Sequence, residues 1–433
     1  PVKKSHIFEI LDGIKPSVNP QNEAYKELLT GACNNLNNIF PFLFEKINDY
    51  TELLMPDDLI SQYSIIQDVR NGMRSDDCKE VEIIGWLYQF YISEKKDEVF
   101  ASKSAVKKED IPATTQLFTP RWIVEYMVQN TLGKLWLQNR PKSKLRDYMP
   151  FYIESPATKT SDYLRVNTAE EIKLLDQACG SGHILVYGFD LFYKIYEEEG
   201  YSPSEIPQLI IEKNLHGYEI DERAAQLAGF AIIMKARSHH KRFLKKEIKP
   251  NIHCFLDLSF KADEVKNLFK EIKIELPASL DYDLKLFNQA TNFGALIRPK
   301  TTSDIIKTTL LKIDRNLTST DIFLRPKLEE LIIGLNQLNK LTEKYHCVVD
   351  NPPYMGSGNM NKELSDFVKT NYPDSKADLM ACFMEVGLDS LLPGGLLGMI
   401  NQHSWMFLSS YEKLRAKLID SIQFDTLLHL GPR

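Results

Sequence analysis

The sequence predicts an α/β fold, in which an open sheet follows a helical amino-terminal region and is interrupted by a helical insertion. Short apolar, β-branched runs such as residues 345–350 alternate with segments long enough to form crossover helices. Two of these runs end in unusual turns, a glycine turn near residue 180 and a double-proline turn at residues 352–353. Ligands bind at the carboxyl ends of strands in open α/β sheets, so both turns are candidate site segments.

Residues 1–112 are predicted to form an amino-terminal helical domain. Apolar positions recur at helical spacing through residues 24–29 and again through residues 83–90. A charged stretch at residues 103–110 then leads into a second, catalytic domain at residues 113–433. The first helix of that domain is expected from Trp122 to about Gln138.

The second domain is predicted to contain the sheet. Its strands are expected at residues 173–177, 215–219, 251–256, 345–350, 396–401 and 424–430. Residues 259–344 are too many for one simple crossover, and a helical pattern at residues 328–338 indicates a helical insertion between the third and fourth strands. We expect a truncated sheet, with residues 424–430 displaced or poorly supported.

The glycine turn follows a short apolar strand and precedes a predicted helix. Its sequence is Asp176-Gln177-Ala178-Cys179-Gly180-Ser181-Gly182. Glycines allow the backbone to approach a ligand closely. The dinucleotide-binding pattern would need a third glycine at position 185, which is Leu185, so that pattern fails.

An acidic residue at the end of the next strand strengthens the candidate site. Glu219 is placed to accept hydrogen bonds from both hydroxyls of a ribose. Its neighbour Asp221 is expected to cap the helix that begins at Glu222. Together, the glycine turn and Glu219 predict a site for a nucleoside-containing ligand.

The loop Asn351-Pro352-Pro353-Tyr354 carries the most specific chemistry. Two prolines cannot continue a strand, so they form a stiff extended loop at its carboxyl end. The exocyclic amine of adenine is a poor nucleophile because its lone pair is delocalised into the ring, and two acceptors for its protons would make that lone pair available. We predict the Asn351 side-chain oxygen and the Pro352 carbonyl as these acceptors. Tyr354 is predicted to stack on a base rotated out of its helix.

These residues resemble the motifs of a known family. The glycine turn is similar to motif I of amino-methyltransferases, although Gln177 stands where the familiar motif has proline. Glu219 is similar to the motif II acid, and the double-proline loop to motif IV. Further resemblances lie at residues 117–122 (motif X), 255–258 (motif III), 378–379 (motif V) and 393–400 (the turn and fifth strand).

The order of these motifs resembles that of the γ class of N6-adenine DNA methyltransferases. Residues 80–98 and 351–360 further resemble the adenine methyltransferases of bacteriophage-exclusion (BREX) systems, whose chains are considerably longer. The resemblance implies a Rossmann-like S-adenosylmethionine-dependent methyltransferase sheet whose carboxyl-terminal target-recognition domain is absent from this chain. The implied partners are double-stranded DNA, with the target adenine flipped out, and other defence-system proteins.

The resemblance also assigns residues to roles. The catalytic residues would be Asn351, Pro352, Pro353 and Tyr354. The implied cofactor, S-adenosyl-L-methionine, would contact Phe118, Thr119, Pro120, Asp176, Ala178, Gly180, Gly182, Glu219, Ile220, Asp257, Leu258, Asn351 and Leu379. Motif X would close over its methionine end, and Asp257 and Leu379 would lie near its adenine.

Composition narrows the possible functions. The six cysteines form no Cys-x-x-Cys pair, so we do not expect a metal or disulfide scaffold. We expect reduced thiols in the cytoplasm instead. No apolar run is long enough to span a membrane. Cys179 is expected to fill space, and His183 to begin a helix. A net charge of -6 weighs against a DNA enzyme, but a local basic run at residues 237–246 is a candidate phosphate-binding surface.

Three other functions remain open from the sequence. The same double-proline loop is compatible with methylation of a protein glutamine or an RNA base. Glu94-Lys95-Lys96, with Asp76 or Asp77, has the form of a Mg²⁺-dependent nuclease motif, although its surroundings have a helical pattern. A non-catalytic module that binds cofactor within a defence complex is the third.

Overall fold

The core of the molecule is an open sheet of five parallel strands. The computed structural model describes residues 3–48, 50–74, 76–77, 83–117, 119–154, 163–261, 263–317 and 323–431. The strands are β1 (Leu174–Asp176), β2 (Leu215–Glu219), β3 (Asn251–Cys254), β4 (Tyr345–Asp350) and β5 (Leu391–Met399). Their order is β3-β2-β1-β4-β5, and each neighbouring pair runs parallel. The predicted α/β class is therefore confirmed.

The strand order reverses between β1 and β4. The chain winds outward from β1 through β2 to β3, and then returns to place β4 on the other side of β1. Leu174 and Leu175 lie opposite Cys347 and Val348 in that central pair. A reversal of this kind opens a crevice at the carboxyl ends of the two strands, which is where open α/β sheets bind ligands.

Both faces of the sheet are covered, which explains why its strands read as continuous apolar runs. Neighbouring strand residues point to opposite faces, because strand side chains alternate. Leu174 and Val349 pack into one apolar layer, while Leu175 and Val348 pack into the other.

The layer that contains Leu174 and Val349 includes three helices. They are α8 (His183–Glu198), α9 (Ile206–Leu209) and α10 (Glu222–His239), of which α8 follows β1, α9 precedes β2 and α10 follows β2. The helix expected from Trp122 to about Gln138 is present as α6 (Arg121–Val128), a π-helical turn at Gln129–Gly133, and α7 (Lys134–Asn139).

The amino-terminal region is helical, as predicted. It contains α1 (Lys4–Leu11), α2 (Pro20–Asn37), α3 (Ile65–Gly72), α4 (Ile83–Ser102) and α5 (Ile111–Thr115). It packs directly on the sheet domain: Phe40 lies against Phe230 of α10 with ring centroids 5.2 Å apart. The proposed domain boundary at residue 112 falls within α5.

The insertion between β3 and β4 is helical in its described part. Its α-helices are α11 (Glu264–Glu271), α12 (Ala278–Leu286), α13 (Ala290–Phe293), α14 (Ser303–Leu317) and α15 (Arg325–Leu341). Gln337 of α15 binds the chain just after β3, accepting from the Leu256 N–H at 2.6 Å and donating to the Leu256 carbonyl at 3.0 Å. The insertion therefore forms part of the second layer.

The carboxyl-terminal part differs from the strand prediction in two ways. The helices are α16 (Lys362–Asn371), α17 (Leu379–Ser390), α18 (Ser404–Phe407) and α19 (Glu412–Ser421). β5 begins at Leu391 instead of residue 396. Its pairing with β4 shifts register between Tyr345 and Cys347, so the glycines at residues 394–395 become part of the strand. Residues 424–430 form no strand; they were expected to be displaced from the sheet, and Leu427, Leu428 and Leu430 are exposed.

No helix in the described ranges combines the length and apolar composition needed to cross a lipid bilayer.

Candidate cofactor and substrate site

One cavity lies at the carboxyl ends of β1, β2 and β4, at the reversal of strand order. It brings the glycine turn and the double-proline loop to one cleft. The predicted site residues that line it are Thr119, Asp176, Ala178, Gly180, Glu219, Ile220, Asn351, Pro353 and Leu379. Pro120, Gly182, Pro352, Tyr354, Asp257 and Leu258 do not line it, and Phe118 lies outside the described residues.

The two glycines of the turn have different tasks. Both adopt the left-handed conformation, with φ of +51° at Gly180 and +84° at Gly182. The space around Gly180 is open, so a ligand can approach its backbone. A Cβ at Gly182 would lie 3.0 Å from the Cα of Ala228, so this glycine permits the start of α8 to pack against α10.

Glu219 holds the glycine turn from the neighbouring strand. Its Oε2 accepts from the Gly180 N–H at 2.7 Å, and its Oε1 accepts from the N–H groups of Ile220 at 2.8 Å and Asp221 at 3.0 Å. A carboxylate offers about four acceptor positions, so about one remains, on Oε2. Burial raises the pKa of Glu219 to about 7 in spite of these donors.

Asp221 caps α10, as the sequence predicted. Its Oδ1 accepts from the Arg223 N–H at 3.0 Å. Its Oδ2 accepts from the hydroxyl of Tyr88 on α4 and from Nε2 of Gln116 at 3.0 Å. Asp221 therefore ties the amino-terminal helices to the edge of the cavity.

The sequence did not reveal that α4 and α5 form one wall of the cavity. The lining residues from these helices and the turn after them are Gly85, Tyr88, Gln89, Ile111, Pro112, Thr115, Gln116 and Leu117. A glycine within the apolar helix α4 was the one available signal. A Cβ at Gly85 would collide with the side chain of Ser181 in the glycine turn.

The Asn351 amide is held in a defined orientation. Its Nδ2 donates to Oγ1 of Thr119 at 2.8 Å and to the carbonyl of Leu117 at 3.3 Å. A carbonyl can only accept, so the amide nitrogen must face Leu117. The Asn351 Oδ1 is consequently turned away; it is buried and has no hydrogen-bond partner among the described residues.

The rest of the loop is fixed by the neighbouring strand. The hydroxyl of Tyr354 donates to the Ile400 carbonyl, just after β5, at 2.7 Å. Pro352 is buried, and Pro353 lines the cavity. The start of the motif V segment is also a cap: Asp378 Oδ1 accepts from the Met380 N–H at 3.0 Å, which places Leu379 on the cavity wall.

Two more carboxyl groups belong to this region: Asp176 lines the cavity, and Asp350 ends β4 next to Asn351. Asp176 and Asp350 are 1% and 0% exposed. Burial first, and then their mutual repulsion, raises the pKa of Asp176 well above its usual value, and burial raises that of Asp350 to about 7. Gln177 Nε2 donates to Asp350 Oδ2 at 3.2 Å.

With this geometry established, the chain can be compared with known proteins. A model of the Eco57I restriction-modification methylase family matches residues 213–433, about half of the chain. The chain belongs to this family. Methylases of this kind draw their methyl group from S-adenosylmethionine in general, which agrees with a cavity built from the motif I and motif II segments.

Two relatives of the methylase align over most of its length. The adenine-specific methyltransferase BrxX of Escherichia coli O9:H4 (strain HS) is 42% identical over 463 aligned residues, covering 100% of this chain and 38% of the relative. The adenine-specific methyltransferase PglX of Lacticaseibacillus casei (strain Zhang) is 36% identical, covering 95% of this chain and 35% of the relative. The methylase thus spans less than two-fifths of the length of either relative.

A solved structure is similar at a much greater distance. A chain of the DrdV–DNA complex, determined by cryo-electron microscopy, aligns with 96% of this chain at 13% identity and a TM-score of 0.44. The alignment covers 34% of that chain. At this level of likeness, it contributes nothing to the functional argument.

The two predicted motif III site residues, Asp257 and Leu258, lie outside the cavity. Asp257 is exposed, pairs with Lys108, and accepts from the Thr291 N–H at 2.9 Å, outside the cavity. Leu258 is buried in the core, against Leu284 and Gly334. β3 ends at Cys254, two residues earlier than expected, so that Phe255 is the residue of this segment that lines the cavity.

Two other residues near the glycine turn behave as the sequence suggested. Burial raises the pKa of the Cys179 thiol, so a nucleophilic thiolate is disfavoured. His183 is the first residue of α8.

The nuclease alternative loses its structural basis. Glu94, Lys95 and Lys96 lie within α4, where a nuclease motif would need strands. Lys95 instead contacts the carboxylate of Asp110 at 3.6 Å. No group of three or more metal-ligating side chains occurs in the part of the chain that the structure describes.

The basic run lies far from the cavity. α10 begins beside Glu219 and carries the chain 18 residues to His239, a distance of about 27 Å. Residues 237–246 therefore lie toward the amino-terminal ends of the strands, opposite the cavity.

Proposed function

We propose that this methylase transfers a methyl group from S-adenosylmethionine to N6 of adenine in DNA. One observation carries the proposal: Asn351 lines the same cavity as the glycine turn and Glu219, and its Oδ1 is buried without a hydrogen-bond partner among the described residues. An acceptor without a donor in a buried site is costly unless a ligand supplies that donor. The exocyclic amine of adenine is such a donor.

The cavity residues fit the cofactor chemically. Gly180 offers an open backbone, Glu219 keeps an acceptor position for a ribose hydroxyl, and Asp176 offers a carboxyl group for a positively charged amine. Apolar side chains suited to an adenine ring are Ile220, Phe255, Leu379 and Phe383. When bound, S-adenosylmethionine supplies an electrophilic methyl group on a sulfonium.

Asn351 prepares the target amine. Its Oδ1 accepts one amine proton, and the Pro352 carbonyl is proposed to accept the second, which frees the nitrogen lone pair for attack. Thr119 and Leu117 bind the amide nitrogen, which supports the proposal that the oxygen is the atom left for the substrate amine. The hydroxyl contact of Tyr354 orients its ring, which is proposed to stack on the flipped base.

DNA is favoured over other acceptors because two extensive relatives are named adenine-specific methyltransferases. The family name refers to restriction-modification, so we infer a role in phage defence or restriction-modification. We further infer that the protein acts in the cytoplasm, together with other proteins of such a system. Protein glutamine and RNA present similar planar, conjugated amines. They are therefore the alternative acceptors to test.

The test is methyl transfer by the Asn351→Ala variant. Tritiated methyl transfer to DNA should fall by at least about 100-fold, because one acceptor for the developing charge is lost. Cofactor affinity, measured by titration calorimetry, should change less than about tenfold, since Asn351 is one contact among many. Asn371→Ala is the matched control, because Asn371 lies on α16 and its amide bonds the Phe367 carbonyl at 2.9 Å.

Two results would contradict the proposal. Full methyl transfer to DNA by Asn351→Ala would remove Asn351 from the chemistry. Transfer by the wild-type methylase to RNA or protein, but not to DNA, would assign the site to another acceptor.

A further inference from the structure

Gln177 is the residue at which this chain departs from the family motif, and the structure gives it a place in the cavity. It is 2% exposed and lines the cavity at the end of β1. Its Nε2 donates to Asp350 Oδ2 at 3.2 Å, while its Oε1 has no hydrogen-bond partner among the described residues. Proline at this position would offer Asp350 no donor. Gln177 therefore stabilises a second carboxyl group, that of Asp350, close to the glycine turn.

The carboxyl groups here are not neutralised by protein cations. Asp176 from β1 and Asp350 from β4 interact directly, and Glu219 from β2 acts on both. No Lys or Arg lines the cavity in the described ranges. Burial and this crowding raise the pKa of all three acids, as expected for negative charge without a compensating partner.

Other ionisable groups also lie nearby, among them His183, which lines the cavity at the start of α8. On the side of Glu219, Asp221 adds negative charge and Arg223 lies beyond it, next to Tyr88. The thiols of Cys179 and Cys254 have raised pKa values and stay neutral. From α17, Asp378 directs its Oδ1 to the backbone N–H groups of Met355 and Met380.

We propose that Asp350, held by Gln177 and paired with Asp176, makes the cavity select the positively charged methyl donor over its neutral product. This inference rests on the proposed function. When the methyl group leaves, the electron pair of the carbon–sulfur bond stays on sulfur, so S-adenosylmethionine becomes the uncharged thioether S-adenosylhomocysteine. Carboxylates in a buried site attract the sulfonium strongly and the thioether hardly at all. Asp350 is thus a specificity-determining residue that favours product release, and Gln177 positions it.

The test is the ratio of two dissociation constants, measured by calorimetry between pH 6 and pH 8. The two ligands share their adenosine and amino-acid ends, so contacts such as that of Glu219 with the ribose cancel in the ratio. At pH 8, wild-type methylase should bind S-adenosylmethionine at least about tenfold more tightly than S-adenosylhomocysteine. The preference should shrink toward pH 6, as Asp350 becomes protonated.

Two substitutions separate charge from packing. Asp350→Asn should reduce the pH 8 preference severalfold and weaken its pH dependence, with S-adenosylhomocysteine affinity little changed. Gln177→Met should move the pH midpoint of the preference upward, because the donor that stabilises ionised Asp350 is lost; a purely structural role would not shift that midpoint. Asp366→Asn, an exposed acid on α16, is the control and should leave the ratio unchanged.

The outcomes distinguish this inference from the proposed function. If both ligands bind but the ratio is independent of pH and of Asp350→Asn, charge selection is wrong while cofactor binding stands. If neither ligand binds the wild-type protein, the proposed function fails and this inference fails with it. If Asp350→Asn does not fold, the pH midpoint of Gln177→Met compared with that of the wild-type protein decides the matter, because Gln177 donates to Asp350.

Discussion

Glu219 is held between two opposing effects. Three backbone N–H groups stabilise its charged form, and complete burial disfavours it. Burial prevails, because the pKa is raised to about 7. Burial also raises the pKa of Asp176 and Asp350, so ionising any of these three acids costs stability.

This cost predicts a pH dependence of folding. A carboxyl group whose pKa is higher in the folded than in the unfolded state stabilises the fold below its unfolded pKa, and that stabilisation is lost as pH rises through the folded value. For Glu219, the window runs from about 4.5 to about 7. The free energy of unfolding should therefore fall across this window, by about 3 kcal/mol from Glu219 alone.

Denaturant unfolding at a series of pH values measures this dependence. Glu219→Gln cannot titrate, so its unfolding free energy should fall less steeply between pH 5 and pH 7 than that of the wild-type protein. Equal slopes for the two proteins would show that Glu219 is ionised at ordinary pH in the folded state.

At the residue scale, the sequence predicted which residues meet at the cavity better than it predicted their contacts. Asn351, Asp176 and Glu219 were expected in the cavity and line it. The partners of the Asn351 amide, Leu117 and Thr119, were not foreseeable, because they lie 234 and 232 residues away in the chain. Motif spacing identifies residue types, whereas an amide orientation depends on what tertiary packing places beside it.

At the element scale, α8 shows what a glycine contributes at each end of one helix. Gly182 precedes α8 with φ of +84°, and Gly200 follows it with φ of +83°. A Cβ at Gly200 would meet no atom within 4 Å, whereas one at Gly182 would press on the backbone of α10 at Ala228. Both positions have the left-handed backbone conformation, but only Gly182 is packed against another helix.

Alanine substitutions at these two positions should therefore differ in cost. Gly200→Ala should lose about 1 kcal/mol of unfolding free energy from the left-handed conformation. Gly182→Ala should lose about 1–3 kcal/mol more, because α8 and α10 must separate. Denaturant unfolding compares the two variants directly, and equal losses would mean that the α8–α10 contact yields easily.

Sequence periodicity located most elements but not all their contacts. Each of the first five predicted strands formed. The central strands β1 and β4 carry apolar residues that both layers of helices bury, whereas the edge strands β3 and β5 are only partly buried. The role of α4 in the cavity was missed, since its inward residues Tyr88 and Gln89 have no motif. The run at residues 424–430 was read as a strand from composition alone, and no strand edge pairs with it in the described structure.

At the scale of the whole molecule, the cavity is a joint product of three regions. The amino-terminal helices give Tyr88, the sheet gives Asp176 and Glu219, and the insertion gives residues 292–296. The basic run at residues 237–246 is outside this arrangement, about 27 Å along α10.

That distance predicts that the basic run is not the main DNA surface. Replacing Lys241, Arg242 and Lys245 together by serine should leave the salt dependence of DNA binding unchanged. If all three contacted phosphates, the slope of log affinity against log salt would become shallower by about 2.7. Fluorescence anisotropy with a duplex at several salt concentrations distinguishes these results.

The placement of β4 has a consequence for how the enzyme matures. β4 inserts between β1 and β5, yet it leaves the ribosome after the whole insertion has been made. Glu219 precedes Asn351 by 351 − 219 = 132 positions, which takes about 7–26 s to translate at typical rates. During that interval the nascent polypeptide holds the residues proposed to bind a nucleoside but lacks the proposed catalytic asparagine, so the proposed activity would arise only late in biosynthesis.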